Sequence, residues 1–290
     1  MKQFIYTTLF FLTLTASASS QQLWQIKGAE QKKASYIFVT HSLIPIQYLD
    51  SIPELYKAFG QCDAVISPMV LSSVDDMGKI QKAALLPQKM TVADLLNLND
   101  YTAVDNELKS LLKVGLSDLG RLHPLMILSL YKAELYKQQN GLDEGSESES
   151  YFQLIAAQQD KKVIGLEDSD KQIDYLFGQT SSQQGAKLLV DAILHKDSTI
   201  ARMDREVKLY KSGNIDALYD VIRRKEAERF PSIEVYDEQL KQRNILWEQQ
   251  LLEFIKAAPC FIAVGAEHLP GRFGLFNMLR ENGYSVKPIK

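Results

Sequence analysis

This sequence has few cysteines, no excess of basic charge and no long apolar run beyond residue 20. Its two cysteines, Cys62 and Cys260, are too few for a disulfide framework, so we expect either one bridge between them or two buried free thiols. The formal net charge is −3 and no dense basic patch is present, which argues against a nucleic-acid partner. Beyond residue 20 no segment approaches the roughly 18 consecutive apolar residues of a transmembrane helix, so we expect no stable membrane insertion of the mature chain.

Common catalytic motifs are missing as well. The sequence has no G-x-S-x-G elbow, no phosphate-binding P-loop, no H-E-x-x-H zinc motif and no C-x-x-C pair. The corresponding classes of hydrolase, nucleotide-binding enzyme and thiol oxidoreductase are therefore not indicated. What is present is an ordinary globular composition, 46% hydrophobic and 24% charged, without a long flexible linker. This composition predicts a single domain over residues 21–290.

The beginning of the chain has the features of a secretory signal. Lys2 precedes an apolar run over residues 4–14, and Ala16-Ser17-Ala18 is a small-residue cleavage site. We therefore predict a signal peptide over residues 1–18, with export to the periplasm or the extracellular space. The partner expected there is an unknown small molecule or peptide.

Hydrophobic patterning predicts an α/β (α+β) fold with a central mixed β-sheet of about six strands surrounded by helices. The predicted strands lie near residues 23–27, 35–40, 63–67, 163–167, 260–265 and 284–289. The first two form a hairpin around a polar turn. Helical spacing over residues 74–139 and 183–257 predicts a helical cap over the strand ends, with a last long helix from about Asp237 to Ala257.

The segment from Cys260 to Leu279 combines a strand, a glycine-rich loop and a helix. The apolar run ends at Gly265, and apolar residues at helical spacing begin at Leu275. His268 lies on the loop between them. Because open α/β sheets usually bind ligands at the carboxyl ends of their strands, this histidine is a candidate site residue.

This segment and the returning residues 283–286 resemble the C-terminal signature of the TraB/GumN family, whose animal relatives are the Tiki proteins. The second G-x-x-H motif of the family is complete at residues 265–268. The resemblance extends from Leu23 to Ile289. It implies a metal-dependent, peptidase-like site built from two G-x-x-H histidines and a strand glutamate.

The first G-x-x-H motif is degenerate. Val39 and Ser42 stand where the family has glycine and histidine, and His41 comes one position early. A shift of one residue turns a strand side chain to the opposite face, so His41 replaces the missing ligand only if a bulge rotates the strand end. The family glutamate is also missing, because Ser67 and Pro68 occupy the end of its strand.

Two further family patterns are matched in the second half of the chain. Glu167 and Gln172 belong to a G-L-E-x-x-x-x-Q element, and Arg243, Asn244 and Trp247 belong to an R-N-x-x-W element. The resemblance implies catalytic roles for Glu167 and Arg243. It implies binding roles for Gly265, Glu267, Asn244 and Gln172. From the residue types alone, Glu167 is equally suited to cap the next helix, and Asn244 to tie its helix to a neighbouring loop.

Three functional hypotheses follow from this incomplete motif set. A catalytic divalent metal needs about three protein ligands, and His268 is the one ligand kept in its family position. The first hypothesis is an exported protein that keeps the fold and cleft but has lost the metal site and acts by binding. The second is a divergent metal-dependent hydrolase that uses His268, His41 and Glu167, although a divalent metal is not favoured. The third is a small-molecule or haem-type binding module with His268 as an axial ligand.

Two charged segments complete the sequence-based interpretation. The run over residues 223–229 is rich in both signs of charge and is expected to be a solvated helix face. Residues 141–150 form an acidic, glycine- and serine-rich stretch that is expected to be a solvated loop without the spacing of an EF-hand.

Overall fold

The computed structural model describes residues 21–29, 31–142 and 148–289. The predicted signal peptide at residues 1–18 lies outside the described residues, as does the middle of the predicted acidic loop at 141–150.

The centre of the fold is a six-stranded mixed sheet, as the sequence predicted. Its strands are β1 (Leu23–Lys27), β2 (Ser35–Thr40), β3 (Ala64–Ser67), β4 (Lys162–Gly165), β5 (Cys260–Gly265) and β6 (Ser285–Pro288). They lie side by side in the order β4-β3-β5-β2-β1-β6. Strands β4, β3, β5 and β2 are parallel neighbours, whereas β1 is antiparallel to both β2 and β6. The predicted hairpin of β1 and β2 is confirmed.

The two central strands, β2 and β5, are buried on both faces, which accounts for their continuous apolar runs. Their register pairs Tyr36 with Phe261 and Thr40 with Gly265. Alternate side chains enter two cores, with Ile37 on the larger one and Phe38 on the smaller one. Because four neighbouring strands are parallel, their carboxyl ends meet at one edge of the sheet.

Helices cover both faces of this sheet. The α-helices are α1 (Leu55–Gly60), α2 (Val74–Ala83), α3 (Leu98–Leu112), α4 (Leu116–Leu119), α5 (Pro124–Gln139), α6 (Ser148–Gln158), α7 (Ser169–Ile173), α8 (Ser182–Leu194), α9 (Lys196–Lys211), α10 (Ile215–Ala227), α11 (Ile233–Ala257) and α12 (Leu275–Glu281). Short 3-10 helices lie at Ile46–Ser51, Val92–Leu95 and Ala266–His268, and a π-helical turn lies at Asp174–Gly178. Side chains of α1 and α6 fill the smaller core, and those of α3, α5 and α8–α11 fill the larger one.

The beginning of the last long helix was predicted four residues too late. It begins at Ile233, because the Ser232 hydroxyl accepts a hydrogen bond from the Val235 N–H and caps the first turn. The start was predicted from the apolar stripe of the helix, whereas the residue that marks it is Ser232, which precedes that stripe.

The predicted helical cap is confirmed. Helix α10 packs on the turn Ala266–His268 that follows β5. The Tyr210 hydroxyl at the end of α9 donates a 2.8 Å hydrogen bond to the Val39 carbonyl of β2. Helix α11 passes over the same edge of the sheet and contributes buried polar side chains to it. In the described part of the chain, no helix combines the length and apolar character that crossing a bilayer requires.

Both cysteines are free, buried thiols, so the structure has no bridge between them. They lie where β3 and β5 begin. Burial raises the pKa of the Cys62 thiol to about 12 and that of Cys260 to about 11. Both thiols therefore stay protonated and unreactive at neutral pH.

Candidate functional site at the carboxyl ends of the parallel strands

The organising group of this sheet edge is Glu167, two residues after β4. Arg243 donates from Nε and Nη2 to the two carboxylate oxygens at 2.8 and 3.0 Å. Trp247 Nε1 donates to Oε1 at 2.8 Å, and the Gln172 amide donates to Oε2. A carboxylate offers about four acceptor positions, and these four donors fill them. The alternative that Glu167 caps the next helix is wrong, because Asp168 caps α7 by accepting from the Lys171 N–H.

Arg243 is held as firmly as its partner. Its guanidinium lies 4.0 Å from the Tyr175 ring centroid and 4.9 Å from that of Trp247. Burial alone would lower the pKa of Arg243, but the hydrogen bonds to Glu167 raise it. The pair is a permanent buried salt bridge that joins α11 to the end of β4.

His268 binds the same helix through Asn244. The Asn244 amide nitrogen donates to the carbonyls of His268 and Phe273 at 3.2 and 2.7 Å, so its oxygen is the acceptor that lies 2.6 Å from His268 Nδ1. This pattern assigns the proton to Nδ1 and leaves a lone pair on Nε2. The ring stacks on Trp247 at 4.0 Å. Burial and the nearby Arg243 lower the pKa of His268 well below its usual range, so the imidazole is neutral at pH 7.

Glu267 and Gly265 lie beside this imidazole. Glu267 Oε1 is 3.9 Å from His268 Nε2, which is too far for a direct hydrogen bond. Burial and the neighbouring Glu226 raise the pKa of Glu267. A Cβ atom at Gly265 would lie 2.5 Å from Glu267 Oε2, so the glycine is needed for this carboxylate to fold back over the chain.

His41 lies at the same edge of the sheet but belongs to a different group of side chains. Its Nδ1 accepts from the Leu43 N–H at 3.2 Å, and its Nε2 lies 3.4 Å from Glu206 Oε2 on α9. Lys225 of α10 binds that same oxygen at 2.8 Å. Burial opposes ionisation of Glu206, but His41 and Lys225 together lower its pKa to about 2. His41 is therefore part of a buried ionic network.

Sequence reasoning missed this network. The prediction that residues 223–229 form a solvated face is wrong for Lys225 and Glu226, because both take part in partly buried ion pairs. The signal available in the sequence was the position of Glu206, three residues after Met203 and four before Tyr210, which places a carboxylate on the buried stripe of α9.

These side chains do not form a metal site. Among the residues that the structure describes, no three histidine, cysteine or acidic side chains come together in a way that would hold a metal ion. All four acceptor positions of Glu167 are filled, and the lone pair of His41 faces a backbone N–H. At the end of β3 the Ser67 hydroxyl is fully buried, has no hydrogen-bond partner in the described ranges and supplies no carboxylate. The donor set therefore does not fit a catalytic metal.

A cleft of about 420 Å³ opens next to Glu267 and Asn244. The N-terminal half of α11, one side chain of α10 and the loop before α12 form its walls. The lining residues are Tyr219, Glu234, Asp237, Glu238, Leu240, Lys241, Asn244, Glu267, Pro270, Gly271, Arg272, Phe273 and Gly274.

Comparison with known proteins gives a match to one family model. Neither the curated proteins nor the solved structures contain a match to this chain. The sequence profile of the TraB/PrgY/gumN family, by contrast, matches residues 22–288, from the strand before the degenerate motif to the closing strand. With nearly all of the described residues inside that match, the chain belongs to the TraB/PrgY/gumN family.

Proposed function

We propose that this protein is an exported member of the family that binds a ligand in the cleft and has lost the metal-dependent hydrolase site, which makes it a pseudoenzyme. The observation that carries the proposal is the saturation of Glu167 by Arg243, Trp247 and Gln172. A carboxylate with every acceptor position filled by protein donors has no free position for a metal or for a reacting proton. Export is part of the proposal because residues 1–18 have the pattern of a signal peptide.

The other candidate ligands support the same conclusion. His268 keeps one free ring nitrogen, and a single imidazole does not hold a catalytic metal. His41, the shifted histidine, is occupied by Glu206. For a haem, Nε2 of His268 would have to reach the iron, whereas this residue is 2% exposed and stacked on Trp247. Binding in the open cleft is the function that these contacts favour.

Metal content tests this proposal. The chain from Gln21 to Lys290 would be purified, incubated with manganese, cobalt, zinc or calcium, desalted and measured by elemental mass spectrometry and thermal unfolding. We expect well under one equivalent of each metal and no metal-dependent rise in Tm. His268→Ala removes the one ligand in its family position, and His195→Ala is the matched control because the His195 side chain is 63% exposed.

A nearly stoichiometric metal that is lost in His268→Ala but kept in His195→Ala would overturn the proposal. Metal-dependent cleavage of a peptide library by the wild-type protein would overturn it independently. Because His268 is buried, the folded state of each variant would first be checked by circular dichroism, and the metal content of the wild-type protein decides the outcome if His268→Ala unfolds.

A further inference from the structure

We infer that the cleft beside α11 binds an organic cation, an ammonium or guanidinium group attached to an apolar or aromatic body, with Glu267 as its counter-ion. This inference rests on the proposed binding function and names the chemical class of the ligand. A free amine and a basic side chain of a peptide are the two sources of such a group, and they share the chemistry that the cleft recognises.

Acidic side chains outnumber basic ones around the cleft. The charged residues that line it are Glu234, Asp237, Glu238 and Glu267 on the acidic side, and Lys241 and Arg272 on the basic side. Two of the acidic groups at the rim already have partners. Asp237 binds Arg223 with an Oδ1–Nε distance of 2.6 Å, and Glu238 binds Lys241 at 3.0 Å.

Glu267 differs from the carboxylates of the rim. Its side chain is 21% exposed and lies next to the backbone of Gly265. Within the described ranges, no lysine or arginine lies within 4.0 Å of it, and its one imidazole neighbour is His268 at 3.9 Å. That imidazole offers a lone pair at Nε2, because its proton is on Nδ1. A positively charged group from outside the chain would therefore supply the pairing that Glu267 lacks.

A second polar group on α11 also lacks a hydrogen-bond partner. The Tyr236 hydroxyl on α11 is fully buried and has no hydrogen-bond partner among the described residues. Burial is the main reason that its pKa is raised, and the charges of Tyr175 and Glu267 raise it further. Buried polar groups without partners are rare in native proteins, but Tyr236 does not line the cleft, so the inference rests on Glu267 and not on this hydroxyl.

The walls of the cleft suit the rest of such a ligand. Phe273 is 39% exposed, and Tyr219 and Leu240 provide further aromatic and apolar surface. Lys241 Nζ and the Arg272 guanidinium already lie 5.0 and 5.3 Å from the Phe273 ring centroid, the distances of cation–π contacts.

The loop over residues 270–274 holds this aromatic wall in place. Gly271 has a φ of 85°, and a Cβ at Gly274 would lie 2.0 Å from the Pro270 carbonyl oxygen, so the loop needs glycine at both positions. Asn244 also holds the Phe273 carbonyl at 2.7 Å. The cleft is thus formed before a ligand arrives.

Binding of defined probes tests the inference. The probes are phenethylamine, its neutral analogue phenethyl alcohol, the peptide acetyl-Gly-Phe-Arg-Phe-Gly-amide and the same peptide with citrulline in place of arginine. Calorimetry and protein-observed NMR would measure their affinities for the mature chain. We expect at least one cationic probe to bind about tenfold more tightly than its neutral analogue, and Glu267→Gln to remove that preference.

Matched variants separate Glu267 from the other acidic groups. Glu238 lines the same cleft, but its carboxylate already pairs with Lys241. Glu238→Gln should therefore weaken binding of the cationic probes by less than about threefold. Phe273→Leu keeps the charges and removes the aromatic face, and it should weaken both cationic probes. It serves as the second test if Glu267→Gln does not fold.

Equal affinity for charged and neutral probes, unchanged selectivity in Glu267→Gln, or no binding of either cationic probe up to millimolar concentration would each overturn the inference. Stronger binding of the peptide supports a peptide ligand, and stronger binding of phenethylamine supports a free amine. If the cationic probes fail to bind and the purified protein also contains no metal, the proposed binding function still stands, but with another class of ligand. If the purified protein contains stoichiometric metal, the proposed binding function itself is wrong.

Discussion

The family resemblance implies a catalytic role for Glu167, but its contacts are those of a structural residue. The pair with Arg243 spans 76 positions in sequence, and both side chains are largely buried. Removing one partner of a buried ion pair leaves an uncompensated charge, which is more costly than the pair itself is stabilising. The residue therefore contributes to the fold by joining β4 to α11.

Glu167→Gln is expected to lower the free energy of unfolding by about 3–5 kcal/mol, because it leaves the Arg243 guanidinium buried without a counter-ion. Urea unfolding followed by circular dichroism measures this. The control is Glu253→Gln on the exposed side of the same helix, for which we expect a change within about 0.5 kcal/mol. Equal stability of the two variants would show that Glu167 is not a structural residue.

Glu206 gives the molecule a specific acid sensitivity. Its pKa falls from 4.5 to about 2 in the folded state. A carboxyl whose folded pKa is lowered stabilises the protein above its unfolded pKa, and this contribution disappears as the pH falls from about 4.5 through about 2. A shift of that size corresponds to about 3 kcal/mol.

Glu206→Gln should therefore be less stable than the wild type at pH 7, and the difference should shrink as the pH falls toward 2. The free energy of unfolding in urea, measured at a series of pH values from 7 to 2.5, tests this. Glu228→Gln is the matched control, since its ion pair with Arg202 is about half exposed. A stability difference between wild type and Glu206→Gln that does not change with pH would contradict the assigned network.

Among the elements, α11 determines the site. Arg243, Asn244 and Trp247 lie on its buried face at helical spacing, and they reach Glu167 and His268. The sequence predicted this face, because the polar Asn244 falls on an apolar stripe and needs a partner. The identity of the partner depends on where β4 and β5 end in space, and local periodicity does not contain that information.

The strands show the same division between local and long-range information. All six were predicted to within two residues, because most of them contain a short apolar stretch bounded by turn residues. Their order in the sheet was not predicted, since β6 pairs with β1 across the whole length of the chain. Similarly, the contact between His41 and Glu206 joins two elements 165 positions apart, so the sequence showed a shifted histidine but not the ion pair that occupies it.

The long helical segments also contain positions where local preference alone decides stability. Gly78 lies in the middle of α2 and is exposed, and a Cβ added there would meet no atom within 4 Å. Gly78→Ala is expected to raise the free energy of unfolding by up to about 1 kcal/mol, because alanine loses less conformational entropy in a helix. Gly120→Ala is the contrasting variant: its φ of 54° is unfavourable for alanine, so it should be destabilised. Thermal unfolding of both variants tests this, and a stabilised Gly120→Ala would contradict it.

For the molecule as a whole, one continuous core joins the sheet to the helical cap. The larger core includes Trp24 of β1, Ile37 of β2, Leu218 of α10 and Trp247 of α11. A cap that shares its apolar surface with the sheet has no separate core with which to fold alone. The single domain over residues 21–290 stays a prediction, and cooperative unfolding is its measurable consequence.

The two tryptophans of the chain report on the two parts of that core. In Trp247→Phe the remaining Trp24 reports on the sheet, and in Trp24→Phe the remaining Trp247 reports on the cap, because each ring is buried in its own element. We expect the fluorescence transition in urea to coincide with the circular dichroism transition in each variant. Trp247→Phe should unfold at a lower urea concentration than Trp24→Phe, because it loses the hydrogen bond to Glu167. If the Trp247 signal of Trp24→Phe changed at lower urea than its circular dichroism, the cap would open before the sheet. The cleft, whose walls belong to α10, α11 and the loop before α12, would then be able to open while the sheet stays folded.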